Sequence, residues 1–384
     1  MPNKKLIIIT SDDWYFLSHR LPVAEAGRRA GFETIVVTGP GKRSHDVWAM
    51  GYRHVVLHDI DRTRGGFFRR LKGIRAIARF LREEQPAIVF AVSLRFGLMS
   101  KIASRFAFKC PFIILMPGLG FLYSSERFLA KIALPVLNIL MRWMFSDGST
   151  DIVVQNKDNM LFFRQQLKIP IDRVHMIRGS GVRLHNLAID LPDKKRPVIT
   201  LAGRMLWSKG VREFVEAAKI LRKQGREVRM VLVGVPDAAN PDHVSIEHLS
   251  DWKSQGTVEW WGFCDNMNEV WQSTSIAVFP TWYGEGIPKA LLEAASFARP
   301  VVASDVAGCR DVVVDRINGI IIKPKSAEAL AGAISTYLDD ADMATKFGLS
   351  LQSILKDTYD EASITEETAT LFQAVLCREK LDTK

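Results

Sequence analysis

A chain of 384 residues is longer than one ordinary hydrophobic core supports and suits two α/β domains. With 47% hydrophobic and 24% charged residues it reads as globular, which excludes a disordered chain and a polytopic membrane protein. The net charge of +10 is unevenly divided: residues 1–185 hold 29 Lys and Arg against 14 Asp and Glu, and the remainder 23 against 28. Such a basic half suits an anionic partner, whether membrane lipid, a lipid-linked diphosphate or nucleic acid; a solvated basic surface is the alternative.

Lys4 and Lys5 precede only a short apolar run, Leu6 to Thr10, which is strand length, so no signal peptide is expected. No apolar stretch is long enough to span a bilayer. The four cysteines, Cys110, Cys264, Cys309 and Cys377, form no Cys-x-x-Cys pair and read as reduced thiols.

Apolar runs rich in β-branched residues alternate with helical stretches. The predicted strands of the first half are Lys5–Thr10, Glu33–Thr38, His54–Leu57, Ala87–Val92, Pro111–Leu115 and Asp151–Gln155. Those of the second half are Val198–Ala202, Val228–Gly234, Thr257–Gly262, Ile276–Pro280, Pro300–Ser304 and Gly319–Ile322. Runs without polar alternation suit parallel strands covered on both faces. The pattern predicts two Rossmann-like, doubly wound α/β lobes, one over 1–188 and one over 189–363. The polar, proline-containing stretch at 184–196 marks the boundary, and a last helix at about 364–384 is expected to cross back to the first lobe.

Two basic helices are predicted in the first lobe, Phe67–Arg82 and Arg127–Phe145. In the second, Arg127, Lys131 and Arg142 share one face, Leu129, Ile132, Leu137, Ile139, Leu140, Trp143 and Met144 supply apolar surface, and Pro135 kinks or restarts it. Both helices suit an anionic membrane surface as well as ordinary packing with a solvated basic side.

The strongest chemical signal is Glu285-Gly286-Ile287-Pro288 through Glu293, directly after a predicted strand. Pro288 suits a first helical turn, so the N–H groups of Gly286 and Ile287 offer a seat for phosphate oxygens. Glu285 and Glu293 can each accept hydrogen bonds from a vicinal diol. After the strand Val198–Ala202 come Gly203-Arg204 and Ser208-Lys209-Gly210, opening an amphipathic helix. Arg204 supplies a planar fork and Lys209 a point charge, together suited to a diphosphate.

These residues resemble glycosyltransferase family 4. The motifs are Gly203-Arg204-Met205 with Lys209-Gly210, Val231-Leu232-Val233-Gly234, Trp260-Trp261-Gly262-Phe263, Pro280 to Ala294, Arg299 to Asp305 and Gly308 to Val312, in order and spacing. The first lobe matches more loosely, at Ser18-His19-Arg20-Leu21-Pro22, Gly118-Leu119-Gly120, Gln155-Asn156 and Gly179 to Val182. The resemblance implies a GT-B fold and a retaining hexosyltransferase that serves bacterial surface glycans. By that resemblance Arg204 and Lys209 bind the donor diphosphate, Glu285 the hexose and Glu293 the ribose. The Gly262 and Phe263 loop then lies near the nucleobase, with Gly203, Gly286 and Ile287 also lining the donor, and the Gly179 to Val182 turn lies at the interlobe cleft.

Family members often carry a histidine after the fourth strand; here that segment, Val89 to Arg95, has none. His19 is the remaining candidate for a polar or acid–base role, with a capping or packed histidine as the alternative, and Asp12 and Asp13 follow. Asp59-Ile60-Asp61 mimics a metal-binding Asp-x-Asp but reads as a loop. No zinc-ligand spacing and no dinucleotide-binding or P-loop glycine motif is present.

The expectation is thus a cytoplasmic enzyme, peripheral on the inner face of the cell membrane. It would transfer a hexose or N-acetylhexosamine from a nucleotide-diphosphate sugar, a UDP-sugar before a GDP-sugar, to a polyprenyl-diphosphate-linked saccharide. No cofactor, no metal and no nucleic acid are expected. A sugar-nucleotide epimerase of the same fold, or a non-catalytic two-lobed sugar-binding protein, is the alternative.

Overall fold

In the computed structural model, which describes residues 4–61, 66–118, 128–184, 196–284 and 286–382, the chain divides into two units. One comprises Met1–Gly181 with Glu361–Lys384, the other Val182–Asp360. The first boundary therefore falls at Gly181/Val182, two residues before the polar stretch assigned to it by sequence. Val182 already belongs to the second unit because it bridges Asp360 and its N–H donates to Tyr359 O at 2.9 Å. Most of that polar stretch, 185–195, lies outside the described residues.

The first unit is built on seven parallel strands: β1 (Lys4–Ile9), β2 (Phe32–Thr38), β3 (Arg53–Val56), β4 (Ile88–Val92), β5 (Phe112–Met116), β6 (Thr150–Val154) and β7 (Val174–Met176). Their order is β3-β2-β1-β4-β5-β6-β7. Successive side chains of a strand point to opposite faces, and both faces here are covered. Leu6 and Ile8 pack into one cluster, Ile7 and Ile9 into another. That is why β1 reads as one apolar run. Strand β7 was not predicted: three residues with a histidine at the centre give no run to detect.

The terminal helix, Glu361–Asp382, starts three residues earlier than expected and belongs to this first unit. Ile364, Leu371, Phe372 and Val375 are buried in the cluster that holds β1 and β2 side chains. The Phe372 ring meets Phe32 and Phe90 edge-on, with centroids 6.0 and 5.9 Å away. Arg378, further along, reaches Asp151 at the start of β6.

The second unit holds six parallel strands: β8 (Val198–Ala202), β9 (Arg229–Val233), β10 (Glu259–Gly262), β11 (Ile276–Phe279), β12 (Val301–Ser304) and β13 (Ile320–Ile322). Their order is β10-β9-β8-β11-β12-β13. Ile199 and Leu201 face one core cluster, Val198 and Ala202 the other. Chain order reverses direction at β8, with β9 on one side and β11 on the other. In open α/β sheets, ligands bind beyond the carboxyl ends of strands at such a switch point.

Candidate functional site

The loops that follow β8 and β11 are joined at Ser208. Its carbonyl accepts the Thr281 hydroxyl at 2.9 Å and the Trp282 N–H at 3.0 Å. Its N–H donates to Asp242 Oδ2 at 2.9 Å, which also ties in the loop after β9. Gly210 opens the helix Val211–Lys223 at φ +78°, and a β-carbon there would run into the Pro280 carbonyl. A residue with a side chain is strained in that conformation, so glycine lets the two loops close on each other. Arg204 and Lys209 therefore share one end of the sheet with the segment that leads into Gly286 and Ile287.

Arg204 is exposed, and its Nη1 pairs with Asp237 Oδ2 at 2.9 Å. Lys209 lies half-buried in a short turn of 3₁₀ helix, Trp207–Lys209. Gly286 and Ile287 are buried. Glu285 lies outside the described residues. Pro288 is the cap residue rather than part of the first turn, and the helix runs Lys289–Ser296. Its first-turn amides and the axial dipole favour negative charge at that end.

Glu293 sits within this helix, where Oε2 accepts the Trp271 indole N–H at 3.4 Å and Oε1 pairs with Lys289 at 3.2 Å. Gly203, Gly234 and Gly262 form a row across the ends of β8, β9 and β10. The Gly203 N–H donates to Val233 O at 2.9 Å, and the Gly234 N–H to Gly262 O at 2.7 Å. Phe263, next in the row, is half exposed, an apolar ring open to a planar partner.

Sequence reasoning named Ser208 and Gly234 within motifs without giving them a role at this edge, and did not name Asp237. Gly234 was visible as the glycine closing a strand; Ser208 acts through its backbone, and Asp237 carried no spacing signal. Trp282, named only within the Pro280 to Ala294 motif, has Lys325 Nζ 4.5 Å from its ring centroid, a cation–π contact on the segment that follows β11.

In the first unit His19 ends the helix Asp13–His19, which follows β1. Its ring stacks on Tyr15 with centroids 4.7 Å apart and meets Trp14 edge-on at 6.0 Å. Asp12 and Asp13 have structural work. Asp12 caps that helix through the Tyr15 N–H at 2.8 Å. Buried Asp13 accepts the Arg43 N–H at 2.7 Å and so pins the loop after β2. Asp59 lies in a 3₁₀ turn, His58–Ile60, and no three His, Cys, Asp or Glu side chains converge among the described residues.

Two parallel doubly wound sheets, one with cationic side chains after its switch-point strand and a helix N-terminus after the neighbouring strand, give an α/β protein of two Rossmann-like domains, the GT-B class of fold. Family models agree along most of the chain: "Glycosyl transferase 4-like domain" matches residues 19–179 and "Glycosyl transferases group 1" residues 196–340. The chain belongs to this family and is a glycosyltransferase. It is similar to N,N'-diacetylbacillosaminyl-diphospho-undecaprenol alpha-1,3-N-acetylgalactosaminyltransferase of Campylobacter jejuni, 27% identical over 94% of this chain and 98% of that one. It is also 23% identical to the capsular polysaccharide biosynthesis glycosyltransferase CapM of Staphylococcus aureus, over 91% and 92% of the two chains. The solved structure of Anabaena HepE with UDP-glucose shares the fold, with TM-score 0.75, 16% identity and coverage of 96% and 99%.

Proposed function

We propose that the chain is a retaining glycosyltransferase that moves a hexose or N-acetylhexosamine from a UDP-sugar to a polyprenyl-diphosphate-linked saccharide in bacterial surface polysaccharide synthesis. The observation that carries this reading is the junction at Ser208, which brings the Arg204 and Lys209 loop against the loop leading to Gly286. As the anomeric bond breaks, negative charge builds on the β-phosphate of the leaving nucleotide. Arg204, Lys209 and the amides that start the helix Lys289–Ser296 are suited to receive it without a metal. On this reading Phe263 serves the base and Glu293 the ribose, and Glu285, outside the described residues, is assigned to the sugar by resemblance. His19 is the first-unit candidate for a polar role toward the acceptor.

The acceptor class is supported by the Campylobacter jejuni relative, whose name specifies a diphospho-undecaprenol-linked saccharide. UDP is supported by the ligand of the Anabaena structure. A peripheral place on the inner face of the cell membrane is supported by the helix Phe67–Glu84. Its exposed side carries Arg70, Lys72, Arg75, Arg79 and Arg82, with Phe68 80% exposed. On the helix Phe128–Phe145, Val136 and Ile139 are exposed, as is Arg142. Arg127 and the side chains of Leu129, Lys131 and Ile132 lie outside the described residues. Among the described helices none is long and apolar enough to cross a membrane.

A thermal-shift screen of UDP- and GDP-sugars against their free nucleotides tests the donor, and a lipid-linked acceptor with labelled donor tests transfer. We expect a UDP-sugar to raise Tm, Arg204→Ala to remove that shift, and product to require acceptor. Donor conversion without acceptor would overturn transfer in favour of an epimerase.

A further inference from the structure

A second concave site lies at the opposite end of the same sheet. A cavity of about 940 Å³ opens against the amino-terminal end of β9 and runs along β10 from Glu259 to Trp261. Five cations line it: Arg196, Arg222, Arg226, Arg229 and Lys253; the acidic lining residues are Glu227 and Glu259. This excess sits in the half of the chain whose acids outnumber its bases.

Three of the cations are engaged with protein groups. Arg229 grips Glu259 through two bonds of 2.7 and 2.8 Å, and Arg226 grips Asp339 at 2.6 and 2.8 Å. Arg222 donates to the Gly256 carbonyl. The Lys253 ammonium has no hydrogen bond or ion pair among the described residues, and the charge of Arg196 acts on Glu259. Like charges gathered in a concavity repel one another unless an anion joins them, and such a concavity concentrates anions. The volume exceeds what a single small ion fills, and guanidinium forks beside a lysine match phosphate oxygens.

We propose that this cavity is a second anion site, separate from the donor loops, that takes a ligand bearing two or more phosphate groups. Arg196 and Lys253 are its primary anchors. The site also has a route to the donor end. Glu259 Oε2 accepts both Arg229 Nη2 at 2.8 Å and the Trp261 indole N–H at 3.0 Å. An anion that draws Arg229 away changes the hold on Trp261, which leads directly into Gly262 and Phe263. This coupling rests on the proposed role of that loop; the site itself does not.

The test uses the full chain with UDP held at saturation, so that the donor site is filled. Inorganic pyrophosphate is titrated calorimetrically, and sedimentation with vesicles of phosphatidic acid against phosphatidylcholine separates a lipid source from a free one. Pyrophosphate binding should persist in wild type and Arg204→Ala, and weaken at least tenfold in Arg196→Glu/Lys253→Glu. Vesicle sedimentation is read in an Arg75→Glu/Arg79→Glu background, so that the helix Phe67–Glu84 does not contribute, and should weaken by the same factor. Lys253→Ala alone, a milder change, should weaken pyrophosphate binding about threefold. The double variant should keep its UDP-sugar thermal shift, so loss of this site and loss of the donor site are told apart. No binding in either arm, or binding that the charge reversals leave intact, overturns the site. UDP affinity that is the same with and without pyrophosphate overturns the coupling.

Discussion

Arg204 Nη1 stands 2.9 Å from Asp237 Oδ2, so the guanidinium proposed to bind the donor diphosphate is already engaged by the loop after β9. Asp237 is the more buried partner, with 14% of its side chain exposed against 45% for Arg204. A diphosphate must compete with it. Asp237→Asn keeps the shape and removes the charge; we expect UDP to bind several-fold more tightly, measured calorimetrically. Weaker binding would mean that Asp237 orients Arg204 in the complex instead of opposing it.

Glu293 separates two roles through two variants. Glu293→Gln keeps an acceptor near the buried Trp271 N–H; Glu293→Ala leaves that donor unpaired, at a cost of about 1–3 kcal/mol. Both should weaken UDP-sugar binding, and only the alanine variant should lower Tm clearly. Unchanged donor affinity in Glu293→Gln would reduce Glu293 to a packing role.

Gly210 and Gly225 have nearly the same backbone, at φ +78° and +73°, in different surroundings. Nothing lies within 4 Å of a β-carbon built at Gly225, whereas at Gly210 the Pro280 carbonyl fills that space. Each alanine carries the left-handed strain of about 1–2 kcal/mol. Gly210→Ala should lower the urea midpoint further than Gly225→Ala, and it alone should abolish donor binding. Equal midpoints would show that the loops are not closely interlocked there.

Membrane attachment through the helix Phe67–Glu84 predicts a charge and salt dependence. Arg75→Glu/Arg79→Glu should strongly reduce sedimentation with anionic vesicles, and raising salt should weaken the wild type in the same sense. Retained sedimentation at low salt would exclude this face.

Asp151, almost fully buried, receives His175 Nε2 at 2.7 Å and Arg378 Nη1 at 3.1 Å. Burial by itself raises its carboxyl, but the His175 hydrogen bond and the Arg378 charge outweigh it, and the net direction is down. A carboxyl whose folded pKa lies below its unfolded value contributes stability above that value, about 3.9. That contribution is lost as pH falls through the folded pKa. Asp151→Asn should therefore lower Tm at pH 7 and flatten the loss of stability below about pH 4. A variant with wild-type acid sensitivity would remove Asp151 from the account.

Much of the fold was legible in the strands, because a sheet covered on both faces demands long apolar runs, and β1 and β8 have them. The short edge strand β7 was not, since Val174-His175-Met176 is held by pairing with β6 and not by its own composition. Predicted strand ends overran by one residue at Thr10, Gly234 and Pro280, where the chain leaves the ladder for the following loops. The site was legible as residue types: a cation pair after one strand, a helix start after another. Asp12 and Asp13 looked like site residues because a carboxylate that caps a helix and one that meets a ligand read the same in one dimension.

The sequence by itself determined two parallel sheets, the glycines that turn sharply at their carboxyl ends, and the charged groups available there, because backbone preference and periodicity are local properties. Only the tertiary structure decided that Ser208 joins loops some seventy residues apart, that Arg204 rests on Asp237, and that the last helix packs through Phe372 into the first unit. Those choices depend on which surfaces meet after the chain crosses the sheet, and no short stretch of residues encodes its distant partner.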